Sequence, residues 1–297
     1  MRYNKNQMLL VIASALWGLA PVLVKLLSCS LNVIFIVFIR FFIAFVLIWI
    51  ICIVRRRKIW PYNISIYQKD ILLPGFIGIG LGFGAYGLAI VSTDVVNATF
   101  TFYVYPIIIS LYNKESRQLL TKLKILGMFI ALLGVFILFC FLDNNQEQYF
   151  SIFSFIYPLL AAMCWSFYSV SLRNRHLSNL DSQIVSYIPG FMFLFCSLSI
   201  VGYDHITIQL NHIGIKEYFM LLVLGVFSTS LAFWLYFIAI RESIDPSILV
   251  VSYLTPIFTV MYSYLFLKEN LNIFQFVGGV FIGTGILLSQ KNLYQKN

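Results

Sequence analysis

The sequence predicts an all-α membrane protein of ten transmembrane helices, arranged as two inverted five-helix repeats over residues 1–145 and 146–297. Three observations carry the prediction: an apolar composition, ten apolar runs of spanning length, and a chain that resembles its own second half. Of the 297 residues, 61% are hydrophobic and only 10% are charged, with a mean hydropathy of +0.90. A soluble domain carries about 25% charged residues. With so few, this chain cannot cover a surface facing water, so its outer solvent is lipid. The net charge of +9 sits in short clusters between apolar runs. Such clusters anchor loops, and the continuous basic stripe expected of a nucleic-acid binder is absent.

A spanning helix needs about 20 mostly apolar residues. Runs of that kind occupy 8–27, 33–54, 71–91, 95–113, 122–142, 152–172, 182–202, 218–240, 247–266 and 273–290. The first follows Arg2 and Lys5 as a signal peptide would. Its length, and a related run later in the chain, make it the first helix instead. The third and fourth runs are parted only by Ser92-Thr93-Asp94, the eighth and ninth by the stretch around Arg241–Pro246. Continuous apolar stretches such as Ile34–Phe38 and Phe42–Trp49 lack the alternation of a membrane β-barrel.

Basic loops are retained on the cytoplasmic side. With the N-terminus inside, the inner segments hold Arg55-Arg56-Arg57-Lys58, Lys69, Lys114, Arg117, Arg173, Arg175, Arg241 and Lys291. The outer loops hold only Lys216 and Lys268, beside acidic Asp143 and Glu147. Both termini are therefore expected in the cytoplasm. The richness in Phe, Ile, Asn, Lys and Tyr is that of an AT-rich bacterial genome, which makes the inner membrane the expected location.

A shift of about 150 residues lays the chain on itself. Gly75, Leu81, Phe83, Tyr86 and Ala89 then meet Gly225, Leu231, Phe233, Tyr236 and Ala239, while Tyr103, Pro106 and Tyr112 meet Tyr253, Pro256 and Tyr262. At a shift nearer 148, Trp17 meets Trp165 and Lys25 meets Arg173. A unit with an odd number of spans must enter the membrane from opposite sides in its two copies. Inverted repeats of that kind hold substrate near the midplane, where the repeats meet.

The stretch from Tyr253-Leu-Thr-Pro256 through Leu267-Lys-Glu-Asn270 to Gly278-Gly279 and Gly283-x-Gly285 resembles the closing signature of the EamA family, within the drug/metabolite transporter superfamily. Ala13–Gly18 and Phe38-Ile-Arg-Phe41 are similar to the opening of its repeat. The resemblance covers nearly the whole chain. It implies a ten-helix inverted-repeat fold, a central cavity and transport of amino acids, nucleotides or related metabolites. One departure stands out: where the second repeat has Tyr264–Glu269, the first has Lys114-Glu-Ser-Arg-Gln-Leu119, which turns polar about a turn early.

Arg40 lies about eight residues into the second run, roughly 12 Å along a helix. A charge at that depth faces the bundle interior or a wet cavity, as an anion contact or bonded to helix carbonyls. Lys25, near the end of the first run, is expected to snorkel outward. Trp17, Phe83, Tyr103, Trp165, Trp234 and Tyr253 fall near helix centres, with Tyr86 and Tyr168 about a turn away. A ring with a polar tip at the midplane wants a buried partner or a cavity, so this set is expected to point inward and to contact substrate. Asn97 could donate to a substrate or bond a neighbouring helix. Pro106 and Pro256, read as mid-helix, are candidate hinges.

Other features carry less. Gly82-Phe-Gly-Ala-Tyr-Gly87 fits a dinucleotide-binding pattern, but no strand precedes it. These glycines, with Gly279 and Gly283, are expected to mediate close helix packing. Asn63-Ile-Ser65 fits a glycosylation site on the expected cytoplasmic side. His176, His205 and His212 fall in predicted loops, and the five cysteines show no metal or disulfide spacing. The sequence therefore carries no catalytic residue, no metal site and no cofactor. The expected partners are a small-molecule substrate and the lipid bilayer, with no nucleic acid, and a monomer is compatible with the sequence. The function expected is secondary transport of a small polar metabolite by alternating access, through facilitated diffusion or exchange. A channel, a lipid flippase and a membrane-embedded enzyme are the alternatives.

Overall fold

Only helices occur among the described residues of the computed structural model, which are 2–55, 71–93, 95–112, 121–140, 152–173, 179–242, 251–268 and 273–290. Inside hydrocarbon every backbone N–H and C=O needs an internal partner, which a helix provides within one segment. Helix α1 is Arg2–Leu27 and α2 is Val33–Val54. Helix α3, Leu73–Ser92, is followed by α4 (Val95–Phe102) and α5 (Tyr105–Tyr112), then α6 (Lys122–Cys140). In the second half come α7 (Ile152–Arg173), α8 (Asn179–Val201) and a short α9 (Tyr203–His212). Segments Ile215–Gly225, Val226–Leu231 and Ala232–Glu242 run on as α10. Leu254–Tyr262 forms α11, continued by a π-helical stretch Ser263–Leu267, and Ile273–Gln290 forms α12.

Each predicted run contains a helix. Among the described residues, 5 helices have both the length and the composition to cross a membrane alone, and the rest are shorter. The packing repeats itself across the two halves. Helix α1 lies against α10 and α11, as α7 lies against α3 and the α4–α5 pair. Helices α2 and α8 face each other, and α6 and α12 pair along their length.

The duplication reaches into backbone geometry. Helix α3 has a π-helical stretch at Phe76–Gly82 and α10 has one at Val226–Leu231, starting at positions 76 and 226. Their glycines sit at matching contacts. A Cβ on Gly75 would lie 2.1 Å from the Ser186 carbonyl oxygen on α8, and one on Gly225 would lie 2.6 Å from Ile43 Cγ2 on α2. Side chains at either site would force the helices apart. Gly279 and Gly283 do not share this role, since nothing lies within 4 Å of a Cβ on either. The close face of α12 lies at neighbouring glycines instead: a Cβ on Gly285 would run into the Gly127 carbonyl of α6, and a Cβ on Gly134 of α6 would lie 2.6 Å from the Gly278 carbonyl.

Further expectations are corrected. Pro106 and Pro256 are not mid-helix. They lie in the first turns of α5 and α11, where a missing N–H costs nothing, so neither kinks a continuous helix. The break falls just before, at Tyr103–Val104. The prolines inside helices are Pro21, Pro158 and Pro189. Lys25 does not snorkel. Its Nζ donates to the Ile90 and Thr93 carbonyls at 3.1 Å each, at the C-terminal end of α3, where unpaired carbonyls and the helix dipole favour a cation. Arg241 does the same for α7, donating from Nη2 to the Leu172 carbonyl at 2.9 Å. The stretch holding His205 and His212 is helical, not loop: Ile206 and Leu210 pack inward one turn apart. From the same helix Gln209 Oε1 accepts the Asn32 N–H at 2.9 Å, while the Asn32 side chain caps α2. Asp94, Asn63, Ser65, His176, the Lys114–Leu119 departure, Asp143 and Glu147 lie outside the described residues.

Candidate functional site

Helix α2 carries Arg40 two turns in, on a stripe with Val33, Ile36 and Val37 that faces the core. Arg40 is 2% exposed. Nε donates to Thr229 Oγ1 at 2.9 Å, and that hydroxyl donates to the Leu224 carbonyl at 2.8 Å, inside the π stretch of α10. The Cζ atom stands 5.2 Å from the Phe41 ring centre and 5.3 Å from that of Phe83. Ring faces stabilise a desolvated cation by about 2 kcal/mol. No carboxylate among the described residues pairs with Arg40.

Around it the aromatic set converges. Trp17, Arg40, Phe83, Tyr86, Tyr103 and Trp165 share the wall of one cavity. Trp165, on α7, is the hub. Its ring lies 5.8 Å from Trp17, 5.5 Å from Phe83 and 5.1 Å from Phe233, all near edge-to-face, the arrangement the ring quadrupole favours. Its indole Nε1 is buried and has no hydrogen-bond partner among the described residues. Tyr86 shares a hydrogen bond with Thr99 at 3.0 Å. The cavity holds about 30 Å³, room for a water but not a metabolite.

Other expected contacts lie outside this wall. Tyr168 is fully buried and bonds Ser186 at 2.8 Å, tying α7 to α8. Tyr253 is buried, and its hydroxyl has no hydrogen-bond partner among the described residues. Asn97 is buried within α4. Trp234 does not point to the bundle centre: half-buried on α10, it lines a separate groove toward α2, because the π stretch turns Phe233 inward instead. Several wall residues were not expected. Tyr105 bonds Ser252 at 2.7 Å and closes the cavity with Phe102 and Thr255. Thr229, the partner of Arg40, lies in Ser228-Thr229-Ser230, where three consecutive hydroxyls inside an apolar run were the available signal.

A polytopic helical bundle with a buried cation and a ring of aromatics around an internal cavity defines the class of membrane transport proteins. The chain belongs to the EamA-like transporter family, whose model matches it twice, over residues 5–140 and 152–290. Two uncharacterized transporters of Archaeoglobus fulgidus are similar: one is 21% identical over 298 residues, covering 98% of this chain and 99% of the relative. The other is 24% identical over 303 residues, covering 96% and 98%. A solved crystal structure shares the fold with a TM-score of 0.68 at 15% identity, over 98% of this chain and 99% of that one. The protein is thus a multi-pass membrane transporter built of two EamA repeats.

Proposed function

We propose that the protein is a carrier for a small polar metabolite that presents an anionic group, amino-acid-like or nucleotide-like, moved by alternating access across the bacterial inner membrane. Its helices make ten membrane spans, with α4 and α5 forming one and α9 none, in two inverted five-span repeats with both termini in the cytoplasm. The observation that carries this is Arg40, a buried cation on the cavity wall with no carboxylate beside it among the described residues. A charge out of water needs a counter-charge, and a substrate carboxylate or phosphate supplies one. Arg40 and the Trp165 N–H only donate, so they favour a ligand rich in acceptors. Ligand pockets hold about 300–1,000 Å³. A cavity of about 30 Å³ must therefore open on either side to take and release its cargo.

The sequence places every Asp and Glu in a loop or near a helix end, and Arg40 keeps its proton at physiological pH. Facilitated diffusion or exchange fits that placement better than proton coupling. In proteoliposomes, Arg40→Met should lower uptake at least tenfold with the amount of folded protein unchanged, as loss of a charged hydrogen bond implies. Preloaded substrate should accelerate uptake of label. Wild-type rates in Arg40→Met would refute the anion site, and accumulation driven by a proton gradient and abolished by a protonophore would refute exchange.

A further inference from the structure

We infer that the protein carries a second site, a groove between α2 and α10 that seats an acyl chain of an anionic phospholipid, with Arg55 on its phosphate. The groove is separate from the central cavity and holds about 410 Å³. Leu47, Ile51 and Val54 form one wall, and Ser230 and Trp234 form the other. The spacings of 4 and 3 residues on α2, and of 4 on α10, are those of single helix stripes. The groove therefore runs along the helices.

Its length selects the occupant. From Leu47 to Arg55 the α2 axis advances about 12 Å, most of one leaflet's share of a hydrocarbon core of about 30 Å. The walls are apolar almost throughout, which excludes a polar metabolite. They also open to the bilayer: Ile50 is 49% exposed and Val54 75%. Charge enters only at the rim, where α2 ends and Arg55 lines the mouth. The sequence continues with Arg56, Arg57 and Lys58, and four basic residues directly after a spanning helix form the pattern that draws anionic headgroups. An apolar slot one leaflet deep with a guanidinium at its mouth complements one tail and one phosphate. The slot also abuts the transport machinery, because Ser230 follows Thr229, the residue bonded to Arg40. A seated chain wedges α2 away from α10 beyond that bond.

Trp234 in the wall reports on occupancy. The protein is reconstituted into vesicles carrying either phosphatidylglycerol or phosphatidylcholine brominated on the acyl chain. The Trp234 signal is the wild-type quenching minus that of Trp234→Phe, which removes one of the five tryptophans. One basic residue near the surface corresponds to about a fivefold preference. Quenching of Trp234 should favour the phosphatidylglycerol by at least that factor, and Arg55→Gln should lower the ratio by about that factor. Val226→Phe, which fills the slot, should lower quenching by both lipids while the neighbouring Trp49 stays quenched. Equal quenching by the two lipids in wild type, a ratio unchanged in Arg55→Gln, or full quenching in Val226→Phe would each overturn the site. None of these readouts depends on substrate, so the outcome is independent of the anion proposal for Arg40.

Discussion

Replacing Trp165 with Phe separates a structural indole from one that binds cargo. The indole Nε1 is buried without an acceptor among the described residues, and such a donor costs the fold about 1–3 kcal/mol. Phenylalanine removes that cost and keeps a ring among Trp17, Phe83 and Phe233. The smaller ring leaves a void costing roughly 1–2 kcal/mol, by the scaling of core truncations. The two terms nearly cancel, so thermal stability in detergent without substrate should change by about 1 kcal/mol or less, in either direction. Transport should respond differently. If the indole N–H meets an anionic group on the cargo, its loss forfeits a charged hydrogen bond of about 1.5–3 kcal/mol, or about 10- to 100-fold in apparent affinity. The assay is radiolabelled uptake into proteoliposomes as a function of substrate concentration, alongside a melting curve of the same preparation. A stable variant with a raised KM is expected. A variant that melts several kcal/mol lower and loses transport in the same proportion would show that the indole only fills space.

The glycine contacts make a paired prediction. Gly75→Ala should destabilise the bundle by about 1–3 kcal/mol or more, because its methyl would meet a backbone carbonyl at 2.1 Å. Gly279→Ala should stay within about 0.5 kcal/mol of wild type, since its methyl meets nothing; urea or thermal unfolding distinguishes the two. Cys29 is exposed in the turn between α1 and α2. With both termini in the cytoplasm, a membrane-impermeant maleimide should label it from outside intact cells and not in Cys29→Ser. Labelling seen only in inside-out vesicles would reverse the orientation.

The large features were legible because the bilayer imposes them. Apolar runs of spanning length and matched Trp, Tyr, Pro and Gly positions survive without knowledge of neighbours. They located every helix but α9, with α4 and α5 read as one, and most of the cavity wall, Arg40 included. What escaped depends on rotation about a helix axis. Trp234 and Phe233 are adjacent in sequence, and the π stretch before them decides which faces inward. Gly278 and Gly279 differ likewise: one meets α6 and the other meets nothing. Lys25 found carbonyls on another helix that no local pattern announces. The prolines were misplaced because an apolar run does not show where one helix stops and another begins, as at Tyr103–Val104. Helix α9 was missed because polar residues flank its inward pair, Ile206 and Leu210, and only their spacing marks it.

The paired π stretches turn the guanidinium into a latch. A π turn holds a surplus residue, and losing it to α geometry rotates everything beyond by about 100° and slides it by about 1.5 Å. In α10 that surplus lies where Thr229 holds Arg40 and reaches back five residues to Leu224. If the proposed anionic cargo takes the Arg40 Nε for itself, the cation leaves this turn and the helix is free to rewind. On the proposed anion site, cargo and helix register would compete for one N–H group, and occupancy would become rotation. Thr229→Val should rewind the turn without cargo, seen as altered hydrogen exchange confined to amides near 226–231. Exchange identical to wild type would uncouple the latch from the turn. Where α10 has Thr229, the matching stretch in α3 has Ile79, which offers no hydroxyl. The two repeats therefore share the spring but not the catch, and on the anion proposal only the half bonded to Arg40 would respond to cargo.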